Sequence, residues 1–105
     1  MTDTVTILKA ARDLIAKPEN WTQGAFARDA KGRSEAIDRA TCYCSIGAIA
    51  KVARTNLGSP VPAPVLQALG FTSHCRLAQF NDSHTHAEVL DLFSKAITAA
   101  EEAER

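Results

Sequence analysis

The chain has 105 residues and a mass of 11.3 kDa, which is the common size of one domain with one hydrophobic core. Hydrophobic residues make up 46% and charged residues 23%, a composition that is typical of globular domains and excludes a disordered or collagen-like chain. From the length we expect a single domain over residues 1–105. Twelve Lys and Arg residues balance twelve Asp and Glu residues, so we expect neither nucleic acid nor a membrane among its partners.

The first segment has apolar residues at three- and four-residue spacing, which predicts an amphipathic helix from Thr4 to Lys17. Thr2, Asp3 and Thr4 are all competent N-caps for it. Pro18 ends the helix, because the residue before a proline is pushed out of the α region.

A turn is predicted at residues 29–32, where Gly32 can take a positive φ. The short segments that flank it, residues 25–28 and 33–37, could pair as a small β-hairpin. We treat this hairpin near residues 25–37 as an optional feature, because its first arm has no β-branched residues.

A second helix is predicted from Thr41 to Leu57, with an apolar stripe that begins at Cys42 and includes Leu57. Gly47 lies in this stripe and costs about 1 kcal/mol relative to alanine, unless a neighbour needs to approach closely there. The small residues around Gly47 favour a helix that packs tightly against another element.

Two short helices are predicted next, over residues 63–69 and 73–80. Gly70 is suited to end the first, and Ser73 is suited to cap the second. The last helix starts at a capping box of Thr85 and Glu88. The chain is therefore predicted to be mainly α, with four or five helices.

The cysteines Cys42, Cys44 and Cys75 form an odd set in a chain that is long enough to fold without bridges, which argues against a secreted disulfide scaffold. The first residues lack the basic start and apolar run of a signal peptide. No stretch approaches the ~20 apolar residues that a transmembrane helix needs. A cytoplasmic location is expected.

The charges are balanced overall but divided unevenly, with nine basic and six acidic residues in residues 1–54 and three and six in residues 55–105. Solvent-exposed helix faces that carry opposite net charge explain this division. The alternative is a basic patch that meets an acidic partner. Its members are Arg28, Lys31, Arg33 and Arg39.

Three motifs follow one another along the chain: Trp21-Thr-Gln-Gly-Ala, then Cys44-Ser-Ile-Gly-Ala-Ile, then Phe80-Asn-Asp with Thr85-His-Ala-Glu-Val-Leu. Their order and spacing resemble a family of short bacterial and phage proteins that is catalogued as a domain of unknown function. The chain departs from that pattern at Phe80, where tryptophan is more usual, and in its short connection from Asp82 to Thr85. The resemblance implies one compact fold and carries no established activity.

Six residues contain side chains that Zn²⁺ accepts, and four of them would close a tetrahedral site. Their spacing departs from the usual Cys-x-x-Cys pattern, and two cysteines two positions apart on a helix point about 200° apart. The alternative is that they are packing residues, so we assign no metal and no other cofactor. The six are Cys42, Cys44, Cys75, His74, His84 and His86.

A nucleophilic cysteine is a second candidate. Cys44 lies near the start of a predicted helix, whose dipole would lower the thiol pKa. No nucleophile, base and orienting group can be named together, so no catalytic residue is assigned.

The third candidate is a polar cluster in which Asn81 and Asp82 are expected to lie in a short loop between two helices. An aromatic wall with a few placed polar groups is typical of small-ligand sites. The architectural alternative is that these residues cap helices, form turns and cover the core. The cluster consists of Trp21, Gln23, Asn81, Asp82, Thr85 and His86.

The leading hypothesis is a small non-catalytic binding or interaction module, regulatory or phage-related, that uses this cluster to bind a protein surface or a small polar ligand. The alternative is a Cys/His metalloprotein or a cysteine-dependent enzyme. A homodimer is a further option, because the alanine-rich faces of residues 41–57 and 86–100 suit helix packing within one chain or between two.

Overall fold

The computed structural model describes residues 3–56 and 58–104. Within them the chain forms five α-helices, two short 3₁₀ helices and a two-stranded antiparallel sheet, which confirms the mainly α prediction. The helices are α1 (Thr4–Leu14), α2 (Ser45–Ala53), α3 (Ala63–Leu69), α4 (His74–Ser83) and α5 (His86–Ala103), and the strands are β1 (Ala27–Arg28) and β2 (Cys42–Tyr43).

Helix α1 begins where predicted, because the Asp3 carboxylate accepts the backbone N–H of Thr6 at 2.8 Å. It ends at Leu14, three residues before the predicted end. Pro18 explains the early end: Lys17 is extended, with φ −87° and ψ 137°, and a 3₁₀ helix follows from Pro18. Thr2, another predicted cap, lies outside the described residues.

Helix α2 starts at Ser45, so the prediction of a helix from Thr41 was wrong. Cys42 belongs instead to β2, where it pairs with Arg28 of β1. Strand pairing with a distant segment thus replaces the first turn that the apolar stripe suggested. Leu57, the predicted end of the stripe, lies outside the described residues.

The turn predicted at residues 29–32 is present, and Gly32 has φ +81°. The Asp29 carboxylate accepts the backbone N–H groups of Lys31 and Arg33. Across the turn, Arg28 and Ser34 form an isolated antiparallel β-bridge, so the chain does reverse direction near residues 25–37. The regular partner of β1 is nevertheless β2 rather than the second arm of this turn.

Helix α3 has its predicted bounds, and Gly70 ends it with φ +89°. Helix α4 starts after the predicted cap Ser73 but continues to Ser83. Asn81 and Asp82, which were predicted to lie in a loop, therefore lie in its last turn. The helix extends this far because one extended residue, His84, is enough to connect α4 to the Thr85 cap of α5.

The capping box at the start of α5 is confirmed: Thr85 Oγ1 accepts the Glu88 N–H at 3.1 Å, and the Glu88 carboxylate accepts the Thr85 N–H at 2.8 Å. Helix α1 packs against α2 and α5, α3 packs on α5, and α4 packs on α2. In the described part of the chain, no helix is both long and apolar enough to cross a membrane. The largest fully buried side chains are Phe93, Leu8, Ile15, Ile46, Ile49 and Leu77.

Candidate functional site

The side-chain amide of Asn81 lies at the centre of the predicted polar cluster and is fully buried. Its Oδ1 accepts three hydrogen bonds: from Trp21 Nε1 at 2.8 Å, from Ser45 N at 3.0 Å and from Ser45 Oγ at 2.8 Å. Its Nδ2 donates to Thr22 O at 3.0 Å and to Asp82 Oδ1 at 3.0 Å. We call these five bonds the Asn81 network.

The Asn81 network joins three segments that are distant in the sequence. These are the loop at Trp21 and Thr22, the first turn of α2 at Ser45, and the last turn of α4. The donors and acceptors of the amide are all engaged inside the protein. The side-chain amide of Asn81 therefore holds these three segments together.

Gln23 and Asp82 extend the network towards the surface. Gln23 Nε2 donates to the backbone oxygens of Asn81 and His84, each at 3.0 Å, and so satisfies carbonyls that the end of α4 leaves free. Asp82 Oδ1 accepts the Gly24 N–H at 3.0 Å. Both contacts fix the loop at residues 21–24 on the C-terminal end of α4.

His86 and Thr85 have different surroundings. The His86 ring lies 5.4 Å from the Trp21 ring between centroids, and its Nε2 is 2.7 Å from the carbonyl oxygen of Ile15 beyond the end of α1. The Thr85 hydroxyl is engaged in the capping box. The fold thus brings Trp21, Gln23, Asn81, Asp82 and His86 together and leaves Thr85 with a capping role.

A half-open depression of about 480 Å³ lies beside the network. Phe26 stands at its edge and is 42% exposed, which makes it the one exposed large hydrophobic side chain among residues 3–56 and 58–104. Of the six residues predicted as the site, Asp82 alone lines this depression. Its lining residues are Gly24, Ala25, Phe26, Ala27, Ser34, Glu35, Cys44, Ala78 and Asp82.

The backbone of Phe26 is fixed against the start of α2, which explains the position of its side chain. Its carbonyl oxygen accepts the Cys44 N–H at 3.0 Å. A Cβ at residue 47 would overlap that same oxygen, so the close approach suggested by Gly47 is confirmed. Reasoning from the sequence missed Phe26, and Gly47 was the signal that a segment packs directly on α2.

The depression is acidic. Asp82 and Glu35 contribute carboxylates, and no Lys or Arg among the described residues lines it. Arg28 is engaged nearby through bonds to Thr22 Oγ1, Gln23 O and Gly32 O. Arg39 pairs with Glu35 at 3.4 Å.

Two of the four residues of the predicted basic patch, Arg33 and Arg39, pair with carboxylates within the described part of the chain. Besides the bonds of Arg28 and the Arg39 pair, Arg33 pairs with Asp29 at 3.1 Å. These contacts favour the solvated-face explanation of the charge division over an anion-binding patch.

Cys44 lines the depression but does not have the properties of an activated nucleophile. It caps α2, and its sulfur accepts the Gly47 N–H at 3.4 Å. Burial raises the pKa of its thiol above the ordinary value, and the nearby Asp82 charge raises it further. The expectation that the helix start would lower this pKa was wrong, because desolvation outweighs the hydrogen bonds to the sulfur.

The other candidate metal ligands are dispersed. Cys42 is half-buried, Cys75 is exposed, and His74 Nε2 lies 3.3 Å from Val61 O. His84 stacks on Phe80 with centroids 3.8 Å apart. In the part of the chain that the structure describes, no three His, Cys, Asp or Glu side chains group as a metal site would require.

The model of a family of unknown function, DUF6197, matches residues 1–99 of the chain. All three motifs that carry the resemblance fall within this range, and the predicted membership of a family of unknown function is confirmed. No curated protein and no solved structure matches the chain.

Proposed function

The chain belongs to this family of unknown function, which assigns it no activity, and we propose that it is a small non-catalytic binding module. Its binding face is the depression edged by Phe26. The exposure of that side chain, 42% on a backbone fixed to α2, is the observation that carries the proposal. Exposed apolar groups beside a concave surface with a few polar groups are typical of interaction sites.

The residues of the polar cluster have two roles in this proposal. Asp82 faces the ligand, because it lines the depression. Trp21, Gln23 and Asn81 position the loop that carries Phe26, through their bonds to one another and to the end of α4. His86 supports Trp21 from the side of α1.

The expected cytoplasmic location and a regulatory or phage-related role are both compatible with a small binding module. Three free cysteines suit a reducing compartment such as the cytoplasm. A regulatory or phage-related role would act through the partner that the depression binds. The alternative of a metalloprotein or cysteine-dependent enzyme has no support among the described residues, because the Cys and His side chains are dispersed and the Cys44 thiol pKa is raised.

Fragment screening by NMR tests the proposal. A ¹⁵N-labelled sample is titrated with a library of small aromatic and alkyl fragments, and binding is mapped by amide shifts. We expect the shifts to cluster at Gly24, Ala27, Cys44 and Asp82, and to weaken in Phe26→Ser with little change in Tm, because the side chain is substantially exposed.

The matched control is Thr98→Ala, an exposed substitution on α5 that should alter neither binding nor Tm. Shifts that cluster on another surface, or a Phe26→Ser variant that binds every fragment as well as the parent chain, would contradict the proposed binding face.

A further inference from the structure

We propose that the depression binds a lysine or arginine side chain of a partner protein. This inference rests on the proposed function and specifies the chemistry of its ligand. The walls are apolar along much of their length, with Ala25, Ala27 and Ala78 beside the buried Cys44. Such walls suit the alkyl stem of a long basic side chain, which can lie along apolar surface while its charged end reaches a polar group.

Asp82 is the anchor for the charged end. Its Oδ1 is held by the Gly24 N–H and by Asn81 Nδ2, both at 3.0 Å. Its Oδ2 accepts no hydrogen bond from residues 3–56 or 58–104, and the residue is exposed. A carboxylate that is fixed through one oxygen and free at the other is ordered before the ligand arrives, which reduces the entropy lost on binding.

The charges that line the depression favour a cation. Glu35 is a second carboxylate in the lining, and no Lys or Arg of residues 3–56 or 58–104 is part of it. Arg28 is held by three oxygens of its own loop region. Arg39 reaches Glu35 at 3.4 Å, but it is 73% exposed, and an ion pair of this kind is weak enough for a partner cation to replace it.

Phe26 points to a protein segment rather than a free small cation. Phe26 lines the depression and is substantially exposed, so it offers apolar surface to a residue that neighbours the basic side chain. Aromatic side chains and Arg are both enriched in protein–protein interfaces. A segment with an apolar residue next to Lys or Arg satisfies both features.

Capped peptides test this inference. Acetyl-Gly-X-Leu-amide is prepared with X as arginine, norleucine or glutamate and titrated into ¹⁵N-labelled protein, with n-butylguanidinium as a small-cation probe. We expect the arginine peptide to shift the Gly24 and Asp82 amides and to bind about two- to five-fold more tightly than the norleucine peptide at low salt. The glutamate peptide should bind most weakly.

Two variants separate the effect of the Asp82 charge on peptide binding from effects on the fold. Asp82→Asn keeps an oxygen for the Gly24 N–H and should reduce arginine-peptide affinity to the norleucine level. Asp91→Asn removes an exposed carboxylate that pairs with Lys95 on α5, and it should leave both affinities unchanged. Equal binding of the arginine and norleucine peptides would overturn the cation inference while leaving the fragment-defined binding face intact.

The remaining outcomes are also decisive. Shifts from n-butylguanidinium without any from the peptides would overturn the protein partner and indicate a free cationic ligand. Peptide shifts away from Gly24 and Asp82 would overturn the assigned pocket. Failure of the proposed function is distinguishable, because in that case the fragment screen itself finds no cluster beside Phe26.

Discussion

Replacement of Asn81 by alanine should destabilise the protein far more than most single substitutions. Asn81→Ala removes the acceptor for Trp21 Nε1 and for both the N–H and the hydroxyl of Ser45. It also removes the donor to Thr22 O. Asp82 loses a donor as well, but its exposed carboxylate can bind water instead. Four groups in or beside a buried site are therefore left without their partner.

The magnitude follows from those four groups. An unsatisfied buried donor or acceptor costs about 1–3 kcal/mol, and Trp21 and Thr22 are only half-buried, so the lower half of that range applies to them. With the minimum cost for each group, we expect a loss of at least about 4 kcal/mol in the free energy of unfolding. That loss is a large part of the ~5–15 kcal/mol that small domains have in total.

Urea denaturation followed by tryptophan fluorescence and far-UV circular dichroism measures this loss. Gln79→Ala is the matched control, because Gln79 is exposed on the same helix and should change stability by less than about 0.5 kcal/mol. Trp21→Phe removes a single donor and should fall between the two. An Asn81→Ala variant within about 1 kcal/mol of the parent chain would refute the reasoning, because the orphaned groups would then have found other partners.

Three further predictions concern separate features. Gly47→Ala should lower stability by about 2 kcal/mol in urea melts despite the better helix propensity of alanine, because its Cβ would overlap a facing backbone carbonyl; an unchanged midpoint would contradict this. The Thr85 N–H donates to the Glu88 carboxylate and holds the pKa of that carboxyl below its ordinary value of 4.5. The stabilisation from this hydrogen bond is therefore fully present above pH 4.5 and is lost as the pH falls through the lower folded-state pKa. Between pH 4.5 and that lower pKa, the Tm of the parent chain should fall more steeply with decreasing pH than that of Glu88→Gln, and parallel curves would refute the assignment. Iodoacetamide at neutral pH should alkylate the exposed Cys75 first and the buried Cys44 last, as measured by peptide mass spectrometry. Early labelling of Cys44 would contradict this order and would support a nucleophilic role for its thiol.

The helices could be predicted well from the sequence because their signals are local. Asp3, Ser73 and Thr85 cap helices as predicted, and Gly70 ends α3. Each of these signals depends on a residue and its neighbours within one helical turn. The pairing of Cys42 with β1 depends on a segment 14 residues away, which helical periodicity does not register.

The sequence could indicate which polar residues group together but not how they are arranged. Trp21, Gln23, Asn81 and Asp82 do come together. Their side chains bond mainly to one another and to backbone, because Asn81 lies inside the last turn of α4 rather than in an open loop. Phe26 could not be identified, since nothing in its local pattern shows that its carbonyl faces α2 and its ring faces solvent.

The stretch from Ile15 to Cys44 has little regular structure of its own, with two-residue strands and three-residue 3₁₀ helices. Its attachment to the helices depends on contacts such as Trp21 to Asn81, which are 60 residues apart in the chain. Contacts that close long loops form late in folding, and segments held mainly by them can open while the rest of a domain stays folded. Amide hydrogen exchange should therefore report this stretch as a separate opening unit, with lower protection than α1 and α5. The proposed binding face lies between that unit and α4, because Asp82 and Ala78 line it from the helix. A ligand that recognises only the docked form of the unit would therefore raise the free energy of opening, and the slowed exchange would provide a measure of binding at equilibrium.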